Sequence, residues 1–256
     1  MLIGCIALLA WSAACSAEFL DPDPSGAGDA GRRRSGEPAK IVFFGDSITE
    51  AGAKPGGYVT LVETSLEYLY PNREIEVIGA GKVGNRVPDL LDRVRRDVLS
   101  KSPTHVVIYI GVNDVGRAPP PGGNTGLASY RNGLAELVRR IKGSGAEVIV
   151  CTPGVIGENP STPTRENRLL DQYAEASRQV AQAAGARICD LRAAFTGYLV
   201  EVNTAGRSEG ILTYDGVHLN SEGNRFVARQ IVSTITDELD GRPDAQAARA
   251  NPNGGE

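Results

Sequence analysis

The chain has 256 residues, which leaves one domain of about 200 residues once its polar, Gly/Pro/Ala-rich ends are set aside, enough to bury a core without staples. Its 27 basic and 31 acidic residues give a net charge of −4, which excludes the broad basic surface of a general nucleic-acid binder. No apolar run reaches the roughly 18 residues that a membrane-spanning helix needs, and four cysteines without CxxC spacing exclude a disulfide scaffold and a structural zinc site.

In chain order, residues 1–15 form an apolar stretch that ends in small residues before Cys15, and read as an export signal. Ser12-Ala13-Ala14-Cys15 resembles the lipobox of bacterial lipoproteins. Cys15 is therefore a candidate lipid anchor, and the cell envelope or the exterior is the expected location. Two features depart from that motif: no Lys or Arg precedes the apolar run, and Ser12 stands where Leu is usual. A misassigned start is the alternative. Residues 16–39, with Arg32 to Arg34 in a Pro/Gly/Asp-rich stretch, have almost nothing to bury and read as a disordered linker. Residues 240–256 read likewise as a disordered tail.

Between these ends, 40–239 alternates short Val/Ile-rich runs with longer amphipathic ones. Strands are expected at Lys40–Phe44, Glu74–Ile78, Thr104–Ile110, Glu147–Cys151 and Ala186–Cys189. Helices are expected over Gly57–Tyr70, Pro88–Leu99, Leu127–Lys142, Arg165–Ala184 and Asn220–Leu239, where apolar residues recur at three- and four-residue spacing. Parallel strands need crossovers and the helices supply them, so the expected fold is a three-layer α/β/α sandwich around about five parallel strands. Active crevices of such sheets lie beyond the carboxyl ends of the strands. There the chain carries Gly45-Asp46-Ser47, Gly79 to Asn85, Gly111 to Asp114 and Thr152-Pro153-Gly154.

Ser47 follows the first strand, and its hydroxyl is a poor nucleophile until a base takes its proton. The chain has two histidines. His105 opens the third strand at the opposite end of the sheet and reads as structural, whereas His218 sits on a loop ahead of the last helix and is the candidate base. Asp215, three residues earlier, is placed to accept the imidazole Nδ1 proton, although a turn-stabilising role beside Gly216 is open to it. Donors for an oxyanion are offered by the Ser47 N–H, by a glycine N–H after the second strand and by the Asn113 side chain.

Gly45-Asp46-Ser47, Gly84, Gly111-Val112-Asn113-Asp114 and Asp215-Gly216-Val217-His218 occur in the order of the four blocks of the SGNH, or GDSL-type, hydrolase family, which this chain resembles from Lys40 to Leu239. Flanking segments are similar to the bacterial lipolytic-esterase branch. The resemblance implies an ester hydrolase on a flavodoxin-like sheet of order 2-1-3-4-5. It further implies Ser47 as nucleophile and oxyanion donor, Gly84 and Asn113 as the other donors, His218 as base and Asp215 as its orienting group. No metal or organic cofactor is implied. Gly79 departs from the Asn that relatives often carry there, which bears on turn stability and on a substrate contact.

Two patterns point elsewhere. Gly206 to Gly210 fits GxSxG around Ser208, but no apolar strand precedes it. Gly79 to Gly84 fits GxGxxG, but the acidic residue expected about 20 positions on is absent. A non-catalytic carbohydrate-binding module on the same fold is the rival of another class. Cys151 and Cys189 end neighbouring strands and read as buried free thiols rather than a disulfide. The one tryptophan, Trp11, falls in the apolar start, so sugar stacking would rest on Tyr109, Tyr130, Tyr198 or Tyr214. The loops Val115–Gly126 and Thr152–Thr164 are small and polar, without the apolar surface of a fatty-acyl tunnel. The expected substrates are therefore small-molecule or carbohydrate esters of short acyl groups, including O-acetyl sugars. Lysophospholipase or thioesterase activity would use the same residues. Arg86 and Arg117 are candidate contacts to a sugar or an anion, and the oligomeric state stays open.

Overall fold

The structure, a computed structural model, describes residues 37–116 and 125–242. The signal and candidate anchor at Cys15, the linker as far as residue 36, the tail from 243, and 117–124 with Arg117 lie outside the described residues.

Five strands, β1 (Ala39–Gly45), β2 (Ile75–Gly81), β3 (His105–Tyr109), β4 (Glu147–Cys151) and β5 (Arg187–Cys189), form one sheet in the expected order β2-β1-β3-β4-β5. Every neighbouring pair is parallel. Parallel strands covered on both faces read as continuous apolar runs rather than alternating ones. Ile41 to Phe44, Val106 to Ile108 and Val148 to Val150 are accordingly all buried.

The helices are α1 (Ser47–Gly52), α2 (Tyr58–Leu69), α3 (Val87–Asp97), α4 (Val112–Val115), α5 (Leu127–Lys142), α6 (Arg165–Ala183), α7 (Leu191–Val202) and α8 (Ser221–Leu239). On one side α5 packs between α3 and α6, and on the other α2 packs against α8. The stripe of Phe226, Val227, Ile231 and Ile235 on α8 is buried, as its spacing predicts.

Three helices have no counterpart in the sequence periodicity. Two of them, α1 and α4, are too short to show a period. The third, α7, lacks a polar face, with Tyr198, Val200 and Val202 exposed, and is set by its cap, where the Asp190 side chain accepts from Ala193 N at 3.2 Å. The second strand also runs three residues further than its Val/Ile content predicts. Gly79, Ala80 and Gly81 pair with Phe43, Phe44 and Gly45. Gly79 therefore lies within a strand and not in a turn, where a Cβ would meet that of Ala53 at 2.5 Å.

In this strand order β1 has β2 on one side and β3 on the other, so consecutive connections leave β1 and β3 toward opposite layers. Such a switch point opens a crevice beyond the strand ends. Ser47 follows β1 and Asn113 follows β3.

Candidate active site

The chain turns sharply at the end of β1. A Cβ on Gly45 would collide with the Thr49 hydroxyl and the Tyr109 carbonyl, so glycine is required there by the close approach of three segments. Asp46 then caps α1, its Oδ1 accepting from Ile48 N at 2.9 Å. Ser47 is the first residue of α1, where no carbonyl four residues back is available to its N–H. Its side chain is half-buried, and Oγ lies 2.9 Å from His218 Nε2.

His218 belongs to a short closed loop. Thr213 and Leu219 form an antiparallel bridge, Asn220 N donates to Leu212 O at 3.0 Å and Tyr214 N donates to His218 O at 3.0 Å. Inside this loop Asp215 Oδ1 accepts from Val217 N at 3.0 Å and from His218 N at 2.7 Å. Its other oxygen lies 2.7 Å from His218 Nδ1. Desolvation by itself raises the Asp215 carboxyl, but the hydrogen bonds from His218 and from the two backbone N–H groups outweigh it and hold it below the usual carboxylate range. Ser47, His218 and Asp215 thus form one continuous hydrogen-bonded line assembled from two segments 171 residues apart.

The second and third segments close in beside it. Lys82 to Asn85 form a turn closed by Asn85 N to Lys82 O at 3.2 Å, with Gly84 at φ +73 as its third residue. That backbone conformation favours glycine, although an added Cβ there would meet nothing. Asn113 Nδ2 donates to Asn85 O at 3.1 Å, next to Gly84, and lies 3.5 Å from Asp46 Oδ2, next to Ser47. The candidate donors Ser47 N, Gly84 N and Asn113 Nδ2 therefore sit on three segments in mutual contact. Two buried carboxyls lie beneath them. Asp46 is pushed up to about 7 by burial, and Asp114, whose Oδ1 accepts from Val87 N at 3.1 Å, is pushed up to about 6 by the same cause.

Two supporting residues escaped the sequence reading. Arg93 on α3 is buried and reaches across the strand ends, donating to Gly45 O at 2.7 Å, Ala80 O at 2.9 Å and Asn85 Oδ1 at 2.6 Å, with its guanidinium 4.4 Å above the Phe44 ring. It ties the Ser47 turn to the Gly84 turn. Glu158 is 1% exposed, and its carboxylate accepts from Ile211 N, Leu212 N, Thr213 N and Thr213 Oγ1 at 2.6–2.8 Å. Gly157 N adds a bond to Gly216 O at 2.7 Å. The Thr152–Thr164 loop thus holds the loop that carries Asp215 and His218. Arg and Glu are ordinarily surface residues, so nothing local signals either role.

The remaining candidates stand apart from this line. His105 is buried at the amino end of β3 with Nδ1 2.7 Å from Thr104 Oγ1. Ser208 is a loop residue whose carbonyl accepts from Glu158 N, while Gly79 and Gly81 lie inside β2, so neither glycine motif forms the loop its pattern requires. Arg86 caps α3 in a box with Asp89. Cys151 and Cys189 are adjacent in register, buried and free. Among the described residues no group of three or more His, Cys, Asp or Glu side chains is arranged to hold a metal ion.

The model of the GDSL-like Lipase/Acylhydrolase family matches residues 43–226. An acetylxylan esterase of Geobacillus stearothermophilus is 33% identical over 215 residues, covering 78% of this chain and 95% of the relative. An isoamyl acetate-hydrolyzing esterase 1 homolog of Bos taurus is 26% identical, covering 82% and 87%. Among solved structures, that of an acetyl xylan esterase superposes with a TM-score of 0.73 at 37% identity, covering 77% of this chain and 99% of the other.

Proposed function

We propose, from the premise that the chain belongs to the GDSL-like Lipase/Acylhydrolase family and is a carboxylic ester hydrolase, that it removes short acyl groups, acetyl first among them, from carbohydrate hydroxyls through an acyl-enzyme on Ser47. The observation that carries this reading is the Ser47–His218–Asp215 line. His218 Nε2 takes the Ser47 proton as Oγ attacks the acyl carbon, and Asp215 fixes the tautomer that leaves Nε2 free to do so. Three donors on Asp215, the Nδ1–H and two backbone N–H groups, keep that carboxylate charged and oriented. The tetrahedral oxyanion is held by Ser47 N, Gly84 N and Asn113 Nδ2, and each donor of such a hole is worth about 2.7–4 kcal/mol. His218 returns the proton to the leaving sugar oxygen, and water, activated by the same imidazole, releases the acid.

The short acyl range is supported by the small and polar composition of the Thr152–Thr164 loop, which is bonded to the His218 loop, and by the acetyl esters in the names of the relatives. The apolar stretch ending in Cys15 supports export, with Cys15 as the lipid attachment point. Labelling of the wild type but not of Cys15→Ser by a radioactive fatty acid would bear out the anchor, and equal labelling would reject it.

The test of activity is hydrolysis of nitrophenyl esters from acetyl to long-chain by the full chain and by Ser47→Ala. Turnover that peaks at acetyl or butyryl and vanishes in the variant is expected. A peak at long chains, or activity that survives in folded Ser47→Ala, would overturn the proposal.

A further inference from the structure

One large apolar side chain sits bare beside the reacting line. Tyr214 precedes Asp215, and its ring lies nearly parallel to the His218 imidazole, with centroids 5.8 Å apart and planes 15° apart. The residue is nevertheless 63% exposed, and its hydroxyl has no hydrogen-bond partner among the described residues. Its backbone is not free to move, since Tyr214 N donates to His218 O and the preceding Thr213 is held by Glu158. The other three tyrosines named as stacking candidates are occupied. Tyr109 and Tyr130 are buried, and Tyr198 leans on Phe226 at 5.2 Å.

Single exposed aromatics are ordinary on a protein surface and need no ligand. What distinguishes Tyr214 is position. When His218 hands its proton to the leaving oxygen, the alcohol bonded to that oxygen must lie against the imidazole, and the ring stacked beside the imidazole is Tyr214. A pyranose presents a flat C–H face, and a rigid aromatic with two side-chain torsions covers such a face at low entropic cost. The geometry points to Tyr214 as the platform for the sugar that bears the acyl group, a specificity-determining contact for carbohydrate esters that takes no part in proton transfer. This rests on the carbohydrate-esterase reading above.

Wild type, Tyr214→Ala and Tyr214→Phe, each as the full chain, are compared on acetylated xylo-oligosaccharide and on ethyl acetate, whose two-carbon alcohol is too small to cover the ring. Loss of the ring raises KM for the oligosaccharide about tenfold with kcat within about twofold, so the ratio of kcat/KM for the two esters falls about tenfold. Phe restores the ratio because it keeps the face. An equal loss on both esters would assign the ring to holding His218 and overturn the proposal. A changed sedimentation coefficient in Tyr214→Ala would assign the ring to contact with a second copy and would also overturn it. Wild type that hydrolyses ethyl acetate and not the oligosaccharide defeats the carbohydrate reading itself. Oligosaccharide hydrolysis equal in wild type and Tyr214→Ala defeats the platform alone.

Discussion

Replacing Glu158 by Gln tests whether a residue that touches no reacting atom sets the geometry of the site. The carboxylate receives four donors, three on Oε1 and one on Oε2. Gln has almost the same shape but carries an acceptor at only one of the two positions. With its carbonyl oxygen at the Oε1 position it keeps the bonds from Leu212 N, Thr213 N and Thr213 Oγ1. Its NH2 then faces the Ile211 N–H, donor against donor. One charge-assisted bond is lost and a partly buried N–H is left unsatisfied, which costs about 1–3 kcal/mol. For a domain of this size each kcal/mol moves Tm by about 2–4 °C, so a fall of roughly 4–8 °C is expected from a midrange loss. The loop held by those bonds carries Asp215 and His218, and small displacements of catalytic groups are costly. Hydrolysis of nitrophenyl acetate should therefore drop about tenfold in kcat with KM little changed. Glu158→Leu, which leaves all four donors unpaired, should lose at least about 4 kcal/mol at about 1 kcal/mol each. Thermal melts and steady-state kinetics on the three proteins decide the matter. A Glu158→Gln protein that melts within about 1 °C of wild type with equal kcat would refute the positioning role.

Two glycines near the site should fail for different reasons. Gly84→Ala meets no atom, but it places a Cβ on a backbone at φ +73 for about 1–2 kcal/mol, so urea melts should show a modest loss while kcat falls by at least tenfold as the Gly84 N–H turns away. Gly81→Ala has an ordinary φ but would drive a Cβ into the backbone of Glu50 and Asp46, which cannot yield without shifting α1. It should lose more stability than Gly84→Ala, and the reverse order would refute this account. Asp46, pushed up to about 7, binds a proton in the folded chain that the unfolded chain releases near its ordinary value. The stability linked to that proton is complete below the unfolded value and is lost as pH rises through about 7. Asp46→Asn cannot titrate, so the Tm of wild type minus that of Asp46→Asn should fall between about pH 5 and about pH 8. A difference constant across that range would reject it.

Much of the site was legible in the chain because its parts are local. Asp215 and His218 are three residues apart in one loop, and Ser47 and Asn113 come two and four residues after the ends of apolar strands, so element ends alone brought them to one edge of the sheet. Legibility failed where an interaction is long-range or an element is short. The Gly79–Gly81 run looks like a turn by composition and becomes strand because β1 offers it ladder bonds. The six residues of α1 carry no period, and the helix exists because Asp46 caps it.

By itself the sequence determined the parallel α/β class, the order of the strand-end segments and which residues are candidates for the site, because apolar periodicity and turn chemistry act over a few residues. Tertiary structure alone decided which buried charges hold those groups together. Glu158 lies 57 residues before Asp215, and Arg93 lies 46 residues after Ser47. Only the close approach of their loops and helices turns an ordinary Glu and an ordinary Arg into buried hydrogen-bond hubs, and no local pattern records which segments will meet.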